Sequence, residues 1–286
     1  MSSLALLGLY AHPDDEQVMS GVFAKAAAEG IRTGLICATR GEMGEIADPE
    51  LATPENLGAV REGELRAAVT VIGVKYLWFL DYKDSGMMGT EPNDDPTNYY
   101  RSDEQEAVGK IVKIIRDFKP TVMVTFDPTG GYGHPDHMTI SRQATTAFTA
   151  AADPNLYPEA GEPWQAARLY YGAFPRSMFK VFAQFIEAAN LDTGFSGLDP
   201  EQFGVPDEAI TNIVDVEQWV PLKERSLNHH RTQMNPDSPF NKLPEEYMRE
   251  WRAKERFMLV AGQPLPNTPE AQGDLFAGLR TENAQP

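Results

Sequence analysis

The chain has 286 residues, 42% of them hydrophobic and 23% charged, which is enough for one sizeable α/β core. A formal net charge of -17 argues against nucleic acid or an anionic membrane surface as main partner, since both call for clustered Lys and Arg. No apolar run reaches the roughly 20 residues of a membrane span, Met1-Ser2-Ser3 lacks a basic leader, and the lone Cys37 excludes an internal disulfide, so a cytoplasmic protein is expected.

In chain order, an apolar run predicts a strand over 4–10, followed by an alanine-rich helix over 16–29. A strand over 31–38, which buries Cys37, precedes a helix over 58–73, and a strand over 75–80 precedes a helix over 103–118. In that third helix Val108, Ile111, Val112 and Ile115 form one stripe, with Lys110, Lys113 and Arg116 opposite. A strand over 121–126 and a helix over 137–151 follow. Later strands are expected at 168–174 and 210–214, and later helices at 176–189, 216–231 and 244–258. This alternation implies an α/β fold: a Rossmann-like, mostly parallel sheet with helices on both faces. Residues 1–261 are expected to form a single domain, and 262–286 a Pro-rich C-terminal tail on the surface. Long connections at 41–57, 81–102 and 127–136 follow early strands and would wall a pocket at the sheet's carboxyl edge; another lies at 190–209.

Two turns at that edge carry the chemistry. Tyr10-Ala11-His12-Pro13-Asp14-Asp15-Glu16 follows the first strand, and Tyr132-Gly133-His134-Pro135-Asp136-His137 follows the fourth. A single His-Pro-Asp triplet is readily explained as a helix-capping turn. Here, however, three of only five histidines sit in two such turns, each after a strand. A catalytic zinc takes three protein ligands of His or carboxylate type and keeps one position open. His12 and Asp15, three apart across a proline, and His137 from the other turn can supply them, leaving Asp14 free as a base.

These stretches resemble the two signatures of the LmbE/PIG-L family of zinc-dependent N-acetylglucosaminyl deacetylases, which includes deacetylases and amidases of mycothiol and bacillithiol metabolism. The resemblance extends over residues 4–235. It takes in Thr39-Arg40-Gly41-Glu42-Met43-Gly44, Arg61-Glu62-Gly63-Glu64-Leu65, Asp84-Ser85-Gly86-Met87 and His230-Arg231-Thr232-Gln233. It implies Zn2+, with Fe2+ as an alternative, held by His12, Asp15 and His137, and Asp14 as general base. It further implies His134 as a protonated partner that stabilises charge and protonates the leaving amine, Asp136 as the orienting carboxylate, and Tyr132 as an oxyanion donor. Arg61, Asp84 and His230 would contact substrate. The implied reaction removes an N-acetyl group from a small-molecule amino sugar, and a homo-oligomer is compatible with it.

Rival readings are an amidase of thiol S-conjugates, a non-catalytic sugar- or metal-binding module, and a phosphoesterase, which usually needs two metals. Gln17, Val18, Met19 and Ser20 are expected at the pocket mouth.

Overall fold

The computed structural model describes residues 4–188, 204–236 and 242–280. Seven strands form one sheet in the order β3-β2-β1-β4-β5-β7-β6. Strands β1 (Ala5–Tyr10), β2 (Arg32–Cys37), β3 (Tyr76–Phe79), β4 (Val122–Phe126) and β5 (Arg168–Gly172) run parallel. Every residue of β1, β4 and β5 is buried, as expected for strands covered on both faces. Helix α3 (Glu104–Phe118) packs on α5 (Pro135–Ala150), which follows the single turn α4 (Gly130–Gly133), while α7 (Val220–Leu227) packs on α1 (Ser20–Ala28) and α2 (Leu57–Val71).

The predicted stripe of α3 is the one buried: Val108, Ile111, Val112 and Ile115 face the core, each contributing roughly 1.5–3 kcal/mol. Asp103 caps the helix, its side chain accepting from the Glu106 N–H at 2.8 Å. Arg116, assigned to the opposite, solvated face, is buried instead. Its guanidinium donates to the carbonyls of Ala150, Ala151, Asp153, Leu156, Tyr157 and Gly161, tying α3 to the segment after α5.

Two expectations fail near the C-terminus. The helix expected over 216–231 is shorter: a 3-10 turn at Glu217–Trp219 leads into α7, which ends at Leu227. The helix expected over 244–258 stops at Ala253 (α8, Glu245–Ala253), and β7 (Lys254–Gly262) begins at once, antiparallel to β5 and to β6 (Asn212–Asp215). The cause is a distant partner. The buried Glu255 carboxylate accepts the N–H groups of Gly21 and Val22 at 2.8 Å each and pairs with Lys223 Nζ at 2.6 Å, so it caps α1 from another strand. After β7, Arg168 holds the chain by donating to the carbonyls of Gln263, Pro264 and Leu275, and Leu275 and Phe276 are buried. α6 covers Arg176–Ala188; most of the connection expected at 190–209 and the last six tail residues lie outside the described residues. Among the described residues no helix is long and apolar enough to cross a membrane.

Strands β2 and β3 lie on one side of β1, and β4 and β5 on the other. The order therefore reverses between β1 and β4, and the crevice outside their carboxyl ends is the place where such sheets bind ligands. Both His-Pro-Asp turns open onto it.

Candidate metal centre and its cleft

His12 and Asp15 follow β1, and His137 lies in the first turn of α5, its ring stacked on Phe126 at the end of β4 with centroids 4.1 Å apart. The three side chains converge. His12 Nδ1 is 3.1 Å from His137 Nε2 and 3.5 Å from Asp15 Oδ2, and His137 Nε2 is 3.2 Å from Asp15 Oδ1. Ligands of a tetrahedral ion with bonds of about 2.0–2.1 Å are separated by roughly 3.3 Å, so the spacing fits.

The donor set fits as well. His12 Nε2 lies 3.1 Å from Asp136 Oδ2, and His137 Nδ1 lies 3.1 Å from the Gly130 carbonyl, which can only accept. Each neutral ring thus spends its N–H outward and turns a lone pair inward, toward the Asp15 carboxylate and the other ring. Two lone pairs and a carboxylate at this spacing call for a cation. Without a metal, a proton serves: burial alone would lower the His12 pKa, but Asp84, Asp136 and Asp15 raise it well above the ordinary histidine value. Burial would raise Asp15, yet His137 and His12 hold its carboxyl well below the usual range. Asp15 Oδ2 also accepts the N–H groups of Ala11 and His12, at 3.1 and 2.8 Å, which fixes its direction.

Asp136 is fully buried and orients His12 while accepting the Ser85 N–H at 2.9 Å and the Ser85 hydroxyl at 2.7 Å. Ser85 was not singled out from sequence; neither was Asp127, whose carboxylate accepts the N–H groups of Thr129 and Gly131 and so shapes the turn before Tyr132.

Asp14 sits at φ 102, ψ -21, in the left-handed region that is costly for a residue with a Cβ. Its N–H donates to Glu16 Oε2 at 3.0 Å, and its carboxylate accepts from Arg61 Nη2 at 3.2 Å. Its side chain stays 32% exposed, facing the cleft. Burial of the turn raises its pKa, and Arg61 partly offsets that. The buried Arg61 guanidinium also donates to the carbonyls of Pro13, at 2.5 Å, and Gly41, at 2.9 Å. Arg61 thus lines the cleft with both Nη atoms hydrogen-bonded, while its buried Nε has no partner among the described residues. Gly41 has to be glycine: its φ is +68, and a Cβ would lie 2.1 Å from Arg61 Nη1.

His230, expected to touch substrate, does not line the cleft. It is wholly buried, with Nε2 2.7 Å from Glu16 Oε1, and so reaches the Asp14 turn through Glu16. Gln17–Ser20 do not form the cleft mouth either: Met19 and Ser20 are buried, and Gln17 and Val18 face a separate depression beside Phe174 and Trp251.

The cleft itself, counting its open mouth, encloses about 1610 Å³. His12, Asp14, Asp15, Asp84, Tyr132 and His134 line it, together with Met43, Glu45, Met87, Thr232 and Gln233 from surrounding loops. Asp84 accepts the N–H groups of Met43 and Gly86 and lies 3.6 Å from His12 Nε2; burial would raise its pKa, but His12 keeps it far below the usual carboxylate range. Tyr132 lies between Gly131 and Gly133, both at positive φ, and burial with nearby carboxylates raises its phenol pKa, so the O–H is retained as a donor. His134 brings a ring nitrogen within 4.8 Å of those of His12 and His137. Its Nδ1 accepts the Asp136 N–H at 3.2 Å, leaving the proton on Nε2. Burial, then His12 and His137 beside it, pull its pKa down to about 3 in the metal-free protein.

The GlcNAc-PI de-N-acetylase family model matches residues 7–148. The chain is 39% identical, over 97% of its own length and 98% of the relative's, to a 1D-myo-inositol 2-acetamido-2-deoxy-alpha-D-glucopyranoside deacetylase from Geodermatophilus obscurus. The chain belongs to this de-N-acetylase family. Among solved structures it resembles the N,N'-diacetylchitobiose deacetylase from Pyrococcus horikoshii, with TM-score 0.63, 22% identity and coverage of 90% of this chain and 83% of that one. It also resembles the 4-carboxy-2-hydroxymuconate hydratase from Pseudomonas putida, with TM-score 0.62, 17% identity and coverage of 93% and 99%. At those identities the fold alone is shared, and a hydratase beside a deacetylase shows that this scaffold does not dictate one chemistry. For this member of the de-N-acetylase family, both turns fall inside the matched stretch, while Thr232 and Gln233 of the cleft wall lie beyond it.

Proposed function

We propose that this protein is a metal-dependent deacetylase that hydrolyses the N-acetyl group of an N-acetylglucosamine-type substrate, with Zn2+ as the ion and Fe2+ as the alternative. The observation that carries this reading is the pair of inward imidazole lone pairs and the Asp15 carboxylate at tetrahedral spacing, with the Asp14 carboxylate beside them. The relative from Geodermatophilus obscurus, which bears a deacetylase name, supports the substrate class.

His12, Asp15 and His137 would hold the metal. When bound, it supplies Lewis acidity, polarising the amide carbonyl and acidifying the attacking water. Asp14 takes the proton of that water; its raised pKa makes it a stronger base than an ordinary aspartate, and Arg61 fixes its direction. The Tyr132 hydroxyl donates to the oxyanion. His134 offers its Nε2–H to the same developing charge. Asp14 then returns its proton to the departing sugar nitrogen, so that acetate and a free amine leave and the base is restored. A pure sugar-binding module would have no use for a strained, cleft-facing aspartate.

The test is metal content by plasma emission together with acetate release from N-acetylglucosamine and its glycosides, for wild type and Asp14→Ala. About one metal per chain, with acetate release falling roughly 10²–10⁴-fold in the variant while metal is retained, is the expected result. A protein that binds no metal, or a variant as active as wild type, refutes the assignment.

A further inference from the structure

A buried carboxylate outside the cleft holds the turn on which two groups of the site depend. Asp127 directly follows β4, is 2% exposed and is not among the cleft-lining residues. Its Oδ1 accepts the Thr129 N–H at 2.8 Å and the Thr129 hydroxyl at 2.5 Å, and its Oδ2 accepts the Gly131 N–H at 3.1 Å. Its own carbonyl accepts the Gly130 N–H at 2.8 Å. The turn needs such a hold. Gly130, Gly131 and Gly133 have φ of +65, +76 and +89, so no regular helix can run through them. The N–H groups of Thr129 and Gly131 therefore turn to a side chain instead of the backbone.

Two groups of the site hang on this turn. The Gly130 carbonyl lies 3.1 Å from His137 Nδ1 and is the acceptor that turns His137 Nε2 inward. The fit is close: a Cβ on Gly130 would lie 2.6 Å from His137 Cβ. Gly131 leads straight into Tyr132, whose ring stands edge-on to His137 with centroids 5.1 Å apart. Chemistry separates this role from simple capping. A cap is served by Asn as well as by Asp. Here two N–H groups meet two different oxygens, and an amide has only one oxygen, so one N–H would face a donor.

We propose that Asp127 is a positioning residue for the reaction. Its carboxylate aims the Gly130 carbonyl at His137, which sets the tautomer of that ring, and it aims Tyr132 at the oxyanion. The Tyr132 half rests on the deacetylase reading; the His137 half can be measured without it.

The test compares wild type, Asp127→Asn, Tyr132→Phe and the double variant, with folding checked by circular dichroism. Zn2+ affinity is measured by competition with a chelator, and the His137 tautomer by long-range 15N–1H spectra of histidine-labelled, metal-free protein. Acetate release from N-acetylglucosamine glycosides gives kcat and KM. In Asp127→Asn, Zn2+ affinity should weaken about 10–100-fold, and the Nδ1–H form of His137 should give way to a mixture. The kcat should fall up to about 10²-fold with little change in KM. On the Tyr132→Phe background the same substitution should cost less in kcat, because part of its effect passes through the lost hydroxyl. A carboxylate that only stabilises the fold would lower the urea midpoint and move none of these. Unchanged Zn2+ affinity and tautomer overturn the link to His137, and strictly additive kcat losses overturn the link to Tyr132. If Asp127→Asn does not fold, Asp127→Ser, whose hydroxyl can still accept one of the two N–H groups, takes its place with the same expectations. The two readings fail separately. No acetate from wild type removes the deacetylase, while a tautomer and a Zn2+ affinity that still respond to Asp127→Asn keep Asp127 as the residue that positions His137.

Discussion

Replacing His230 with phenylalanine should damage both stability and turnover, although the ring never touches the cleft. Both side chains of the His230–Glu16 pair are wholly buried, with His230 Nε2 2.7 Å from Glu16 Oε1, and His230 Nδ1 makes no hydrogen bond among the described residues. The substitution leaves the Glu16 carboxylate with only the Asp14 N–H and the Gln17 amide, at 3.0 and 2.6 Å. Removing one partner of a buried ion pair costs about 3–5 kcal/mol, a large part of a total stability of about 5–15 kcal/mol. A second cost follows from Asp14, whose left-handed backbone at φ 102 stores strain of about 1–3 kcal/mol and is held partly by Glu16 Oε2. If Glu16 reorients, the turn relaxes and Asp14 loses its aim, so kcat should fall with little change in KM. Urea unfolding and steady-state kinetics, with metal content as control, measure these effects. Adding Glu16→Gln to the variant removes the stranded charge, so the double variant should be more stable than additivity predicts by about 0.5–3 kcal/mol. The pH dependence has a definite sign. Burial would lower the His230 pKa, but Glu16 raises it above the ordinary value. The pair's contribution is therefore complete below the unfolded pKa of about 6.5 and lost as pH rises through the higher folded value. A His230→Phe cost below about 1 kcal/mol, or strict additivity with Glu16→Gln, would refute this reasoning.

Other outcomes follow from the same geometry. Asp136→Asn removes the carboxylate that His12 Nε2 faces and should weaken metal affinity about 10–100-fold, measured by competition with a chelator. Gly41→Ala forces a Cβ to within 2.1 Å of Arg61 Nη1, so the guanidinium must shift; kcat should drop up to about 10²-fold while metal content holds. Because the raised pKa of His12 keeps a proton there at neutral pH, metal binding should release about one proton, and affinity should rise about tenfold per pH unit until that pKa is passed. Calorimetry in buffers of different ionisation enthalpy reads the proton directly.

The parallel sheet and the turns that carry the proposed metal ligands were legible in the sequence because each depends on a short stretch: a buried strand, a tight turn, a helix start. His12 and Asp15 are three residues apart, and His134 and His137 share one turn, so spacing alone places them. The groups that aim them were hidden because their partners are remote. Ser85 is 51 residues from Asp136, and Glu16 is 214 residues from His230. Nothing near His230 in sequence shows that its ring points to a buried carboxylate instead of to the cleft. The same holds for β7, where Glu255 caps a helix more than 230 residues away and local helical periodicity misleads. Arg116 reads as a surface cation until the six carbonyls that it gathers come into view.

What separates this centre from an ordinary buried hydrogen-bond network is direction. A network is satisfied when each donor meets an acceptor. Here Asp136 and the Gly130 carbonyl draw the N–H groups of His12 and His137 outward, and the inner nitrogens are left facing each other at 3.1 Å beside a carboxylate. With both rings neutral, that interior holds acceptors and no donor, an arrangement that folding alone would disfavour. Protonating a ring relieves it, and so does a cation with roughly tetrahedral ligands. In the proposed site a metal and a proton would therefore compete for one position, and the outer acceptors decide that such a position exists. Asp15 is turned to the two rings and Glu16 is paired with His230, so in the proposed reaction Asp14, bound by Arg61 and facing the cleft, is the carboxylate of the first loop that would move a proton.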